Sequence, residues 1–236
     1  MPDDITEIDN PIDVMYLMHK AFRAVSMRVE ALAAQLENGG DIEAFRVAFN
    51  FWGMQLLYHA TAEDKYMTAP LTDSQAARDN EAEHAALGQQ AVELIVFMKK
   101  GDAAGLEESV KAAMLALEKE QHSEVVEKLE AVEEVLKKEI GEDRVVARTR
   151  RHIYSRVMAL RVTEFDHFEN EEAFVVSVVR ERMNEQEQLE VAKRLLIDEE
   201  AEDPRWIIDW LAGELTLAER RLLSDLEALF RTDATA

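Results

Sequence analysis

Apolar residues recur at three- and four-residue spacing through most of this chain, the period of helices that bury one face. The pattern predicts five long helices and a smaller C-terminal group. The first, over about 12–37, opens at Asn10-Pro11, a capping residue followed by proline at the first helical position, and closes at Gly39-Gly40. A second is expected over about 41–69 and a third over about 74–99, ending in Lys99-Lys100 before Gly101. A further helix over about 106–140 ends in Lys137-Lys138 and Gly141; basic last turns of this kind suit the negative end of the helix dipole. The longest, over about 144–183, carries Ile153, Val157, Leu160, Phe174, Val175 and Val178. Beyond Asn184 the periodic runs shorten. Asp203-Pro204 introduces Trp206, Ile207, Trp210 and Leu211, and then Leu217, Leu222, Leu223, Leu226 and Phe230 return at helical spacing. The expected fold is all-α: an up-and-down helical bundle over 1–185, with a C-terminal helical extension over 186–236 packed on it.

Composition agrees with this reading. The 236 residues are 47% hydrophobic, enough for a core, and hold only 8 Gly and 4 Pro. A formal net charge of -22 argues against nucleic acid and anionic membrane surfaces as partners, because both would repel the chain. There is no cysteine, so disulfides, thiolate sites and iron–sulfur ligation are excluded, and any metal must be held by His and carboxylate. The N-terminus lacks the basic and apolar regions of a signal peptide, and no run approaches the ~18 apolar residues of a membrane span. A cytoplasmic location is the expectation.

Five of the six histidines fall in mirror positions about the turn signals. His19 and His59 are equally far from Gly39, His59 and His84 flank Leu71-Thr72, His84 and His122 flank Ala103, and His122 and His167 flank the turn just past Asp143. In an antiparallel bundle such residues reach one level. His152 fails this test, because it precedes His167 along one helix by roughly 22 Å at about 1.5 Å per residue. Two of the five histidines also begin an HxxxE motif followed by a second acid, His59 with Glu63-Asp64 and His167 with Glu171-Glu172. Residues four apart share a helical face, so each pair is able to bind one cation or simply to pair with itself. Together His19, His59, His84, His122, His167, Glu63 and Glu171 form a candidate non-haem di-iron set, with imidazole suited to iron and carboxylates able to bridge. Met15, Met18, Met54 and Met67 flank these residues at core spacing and read as packing, as do Trp52 and Tyr58.

These residues resemble the hemerythrin-like, HHE cation-binding family: Asn10-Pro11 with His19 on the first helix, HxxxED on the second, Glu83-His84 on the third and HxxxEE on the long fifth. The resemblance covers roughly 10–185 and extends into Pro204-Arg205-Trp206. It implies a four-helix bundle holding two irons, bridged by carboxylates and an oxo or hydroxo species, with a position open to a small diatomic ligand such as O2 or NO. His19, His59, Glu63, His84, His167 and Glu171 match the motif, and His122 adds a fifth imidazole. Tyr58 and Ala60 flank His59 where the family commonly has a second His or an acid, and the proline usual after the last motif is absent. The helix over 106–140 is an insertion that reverses the long helix in a simple up-and-down path. His122 with Glu127 is therefore a rival for the place of His167 with Glu171; the motif around His167 fits better.

A di-iron protein that binds or senses dioxygen, nitric oxide or iron is the leading expectation, with homo-oligomer formation and enzymatic activity left open. A ferritin-like carboxylate oxidase is the alternative, since Glu81-Ala-Glu-His84 and Glu164-Phe-Asp-His167 are both ExxH. A metal-free helical scaffold is the third.

Overall fold

The computed structural model describes residues 5–98 and 142–232. Among these residues every regular element is helical, with no strand. The long helices are α1 (Val14–Leu36), α2 (Ile42–Glu63), α3 (Gln75–Met98) and α4 (Glu142–Asn170), followed by α5 (Val176–Arg182), α6 (Glu185–Leu196), α7 (Trp206–Glu214) and α8 (Leu217–Thr232). The expected helix over 106–140, with His122 and Glu127, lies outside the described residues.

Local chemistry explains the boundaries. Pro11 starts a short 3-10 turn, Pro11–Asp13, that runs into α1, and Asp13 Oδ2 accepts from the Asp9 and Asn10 N–H groups at 3.1 and 3.0 Å. At the other end of α1, Gly39 adopts φ 84°, and the N–H of Gly40 returns to the Gln35 carbonyl at 2.9 Å. Only a residue without a Cβ enters that left-handed turn cheaply. Asn184 caps α6: its side chain accepts from the Gln186 and Glu187 N–H groups, and Glu187 accepts in return from the Asn184 N–H.

The structure departs from the expected single helices in two places. The helix expected over 41–69 is α2 followed by a π-helical turn, Asp64–Thr68, and the helix expected over 144–183 is α4, a π-helical turn at Glu171–Val175, and α5. Each π-helical turn begins at or directly after the glutamate of an HxxxE motif. A single π-helical turn is only five residues long, too short for periodicity to distinguish from continued α-helix.

Two compact units divide the chain. Unit 1 comprises 1–25, 58–83 and 165–236, and unit 2 comprises 26–57 and 84–164. Along the chain α1 leaves unit 1, α2 enters it, α3 leaves it and α4 enters it, so that each long helix contributes to both. Unit 2 is built on Val29, Ala33, Leu36, Phe45, Phe49, Trp52, Leu94, Ile153, Val157 and Leu160, all buried. Its Trp52 Nε1 donates to the buried carboxylate of Glu164 at 2.6 Å, and Arg161 pairs with Glu30 on its outside. Unit 1 buries Ile12, Met15, Met18, Phe22, Met67, Phe168, Val176, Val179 and, from the C-terminal helices, Leu195, Ile207 and Leu211. The C-terminal helices are tied into this unit. Tyr58 donates to the Arg194 carbonyl at 2.9 Å, Trp210 stands edge-on to Phe22 with ring centroids 4.9 Å apart, and Glu219 accepts from Lys20 at 2.6 Å.

Candidate metal centre

Four helical segments of unit 1 converge on a buried polar cluster: the start of α1, the end of α2, the start of α3 and the end of α4. His19, His59, Glu63, His167 and Glu171 are each at most 2% exposed. His19, His59, Glu63 and Glu171 offer ligand atoms that all lie within 4.8 Å of one another, and Glu63, His167 and Glu171 do so as a second set. Both sets contain Glu63 and Glu171.

Several donor atoms of the cluster lie close together without bonding one another. His59 Nε2 lies 2.8 Å from Glu63 Oε1, yet neither ring nitrogen of His59 meets hydrogen-bond geometry. His19 Nε2 and Glu171 Oε2 are 3.2 Å apart and both buried without a hydrogen bond. Buried polar atoms left in this state cost free energy, on the order of 1–3 kcal/mol each, unless something else satisfies them. A cation among them would satisfy several at once.

The outward side of the cluster supports the same conclusion. His19 Nδ1 is held by Glu172 at 2.8 Å, and Glu172 is held in turn by Arg23 at 2.9 Å. His167 Nδ1 is held by Glu83 at 2.9 Å, and the other oxygen of Glu83 accepts from Asn170 at 2.9 Å. In both histidines a carboxylate on Nδ1 fixes the ring so that Nε2 faces inward toward Glu171, the arrangement by which proteins orient and strengthen metal-binding imidazoles. Asn80, itself 2% exposed, donates to Glu171 Oε1 at 3.0 Å.

A dry aromatic wall surrounds the imidazoles. Phe168 stacks on His19 with centroids 4.1 Å apart, and Phe22 packs against His59 at 4.9 Å. In this enclosure burial is the strongest influence on His19 and disfavours its charge, but the contacts with Glu171 and Glu172 outweigh it and hold the imidazole up to about 9 rather than 6.5. Glu172 is pushed below the usual carboxylate range: burial opposes its charge, but the contacts with His19 and Arg23 outweigh that effect. In the metal-free chain the protonated form of His19 is thus favoured by its two carboxylate neighbours.

His84 is buried in unit 2, and His152 is exposed on α4. His122 lies outside the described residues. Of the acids that an ExxH arrangement would require, Glu81 accepts from Thr68 at 3.2 Å and Glu164 from Trp52; neither belongs to a metal-competent group among the described residues. Sequence reasoning missed Glu83, Asn80 and Glu172 as supporting residues. Glu83 and Asn80 precede His84 by one and four positions, and Glu172 is the second acid of its motif, so spacing alone carried a weak signal.

Residues 10–118 match the family model of the hemerythrin HHE cation binding domain. The match includes His19, His59, Glu63, Asn80, Glu83 and His84 and ends before α4. No curated protein matches the chain, and no solved structure does.

Proposed function

We propose, with residues 10–118 belonging to a hemerythrin HHE cation-binding domain, that this chain is a non-haem di-iron protein that binds or senses dioxygen, nitric oxide or iron itself. The observation that carries the reading is the overlap of the two ligand sets on Glu63 and Glu171. A single ion needs no such sharing, whereas two ions held side by side are naturally bridged by two carboxylates. His19 and His59 would serve one ion and His167 the other. His84, next in the chain to Glu83, is the further imidazole we assign, and His122 is retained from the sequence as a candidate.

Bound iron would supply a redox-active centre able to take a small diatomic ligand. The chain's own residues prepare that centre. Glu172 and Glu83 each engage Nδ1 of one imidazole and so orient its Nε2 toward Glu171, Phe22 and Phe168 keep the interior apolar, and Arg23 balances the charge of Glu172. The C-terminal helices over 186–236 are, in this reading, an extension that backs the aromatic wall through Trp210.

Elemental analysis of protein expressed with sufficient iron, combined with anomalous scattering from crystals, tests the proposal. About two irons per chain are expected, as for a carboxylate-bridged pair. A single ion, or none after anaerobic reconstitution with ferrous iron, overturns the di-iron reading.

A further inference from the structure

The two carboxylates that engage the inward-facing imidazoles do so unequally. Glu83 divides its oxygens: Oε2 lies 2.9 Å from His167 Nδ1, while Oε1 accepts from the Asn170 amide at 2.9 Å. On the other side of the cluster one oxygen serves two partners. Glu172 Oε1 lies 2.8 Å from His19 Nδ1 and also accepts from Arg23 Nη1 at 2.9 Å. The second partner of Glu83 is neutral, and that of Glu172 is a cation. Arg23 is fixed by more than the carboxylate, since its guanidinium lies over the rings of Phe165 and Phe168 at 5.8 and 5.6 Å. Its side chain is only 14% exposed, so solvent screens the charge weakly.

We propose that Arg23 is a positioning residue that restrains, through Glu172, how strongly His19 donates to a cation, and so favours the ferrous state of an ion held there. The inference rests on the metal-centre reading above. A carboxylate on Nδ1 of a ligating imidazole makes Nε2 a stronger donor. A guanidinium on the same oxygen competes for that acceptor and offsets its negative charge. Glu83 gives His167 an oxygen of its own, and the amide on its other oxygen is uncharged.

Residue placement fits the role. Arg23 follows His19 by one turn of α1, so a single helical face presents both the imidazole and the charge that tempers it. The two acids of the motif after His167 divide the work: Glu171 Oε2 approaches His19 Nε2, and Glu172 meets His19 Nδ1 and Arg23. A centre that binds or senses a small ligand as ferrous iron has to resist oxidation. A fixed cation outside the ligand shell provides that resistance without touching the ion.

The reduction potential of the iron-loaded chain tests the proposal, with zinc(II) as a redox-inert probe of affinity. Arg23→Gln keeps a donor for Glu172 and removes the charge. Its ferric-to-ferrous ratio at a fixed poise should rise about tenfold, a downward shift of about 60 mV, and its zinc affinity in chelator competition should rise as well. Arg23→Lys, which keeps a charge beside the same carboxylate, should stay close to wild type. Because the effect passes through Glu172, adding Arg23→Gln to Glu172→Gln should change the ratio by less than about twofold. A merely structural ion pair would instead lower the melting temperature alone. An Arg23→Gln chain with unchanged potential or weakened zinc binding, an Arg23→Lys chain that shifts as far, or a shift that survives in the Glu172→Gln background overturns the proposal while leaving the metal centre intact. A wild-type chain that takes up neither zinc nor ferrous iron overturns both.

Discussion

At the scale of single residues, the candidate ligands differ from their supports by which ring nitrogen is occupied. His19 and His167 each give Nδ1 to a carboxylate and keep Nε2 inward, whereas the His59 ring is packed against Phe22 with Glu63 close by, one turn along α2. Removing an inward-facing imidazole should therefore act differently from removing a support. His19→Ala and His59→Ala are each expected to strip most of the bound iron, and His152→Ala, at an exposed position, to leave it unchanged, as read by metal content after gel filtration. Glu83→Gln and Glu172→Gln should preserve stoichiometry while weakening affinity by about 10–100-fold, because the rings lose their charged acceptor but not their place. Equal loss from His152→Ala would show that the iron sits elsewhere.

At the scale of elements, helix existence was legible from periodicity because each long helix buries one face, and the ends of the first helix were legible from Pro11 and Gly39; the Asn184 box emerged only from the structure. The five histidine and glutamate positions brought together in unit 1 were legible from mirrored placement and HxxxE spacing. Glu83 and Glu172 were not, for a physical reason: with 49 acidic residues in the chain, a glutamate beside a histidine carries little information until the fold shows what it faces. The π-helical turns were hidden because each spans only five residues, too few for a change of period to show. The tie between α8 and α1 was equally invisible, since it joins residues 199 positions apart. There Glu219, fully buried, accepts from Lys20, the Ile5 N–H and Thr216. Burial works against its charge, but the Lys20 and Thr216 contacts prevail and hold it down to about 2. Glu219→Leu leaves Lys20 and the Ile5 N–H without their acceptor. The expected cost is roughly 3 kcal/mol in chemical denaturation, the scale for breaking a largely buried pair. A change below about 0.5 kcal/mol, ordinary for a surface position, would mean that this tie does not hold α8 in place.

At the scale of the whole molecule, no helix among the described residues is long and apolar enough to cross a membrane, and stability against pH is where the charged interior becomes measurable. In the metal-free chain the His19 imidazole is raised from 6.5 to about 9, so its contribution to stability is fully present below 6.5 and is lost as pH rises through about 9. Glu219 and Glu172 act in the opposite sense. Their charged forms are favoured by folding, so that the stability from Glu219 is present above 4.5 and disappears as pH falls toward about 2. The contributions of His19 and Glu219 are thus both present between about 4.5 and 6.5. A metal held by His19 would reverse that sense: a ligating imidazole must be neutral, so near neutral pH the cation would have to displace the His19 proton, and metal-derived stability would grow as pH rises and that displacement becomes easier. Melting temperatures of the metal-free chain should accordingly decline from about pH 6.5 to 9 while those of the iron-loaded chain hold or rise, widening the gap. Calorimetric titration with ferrous iron at pH 7 in buffers of different ionisation enthalpy should also register net proton release. A gap that stays constant across this range, with iron verified as bound and no proton released, would place the cation away from His19.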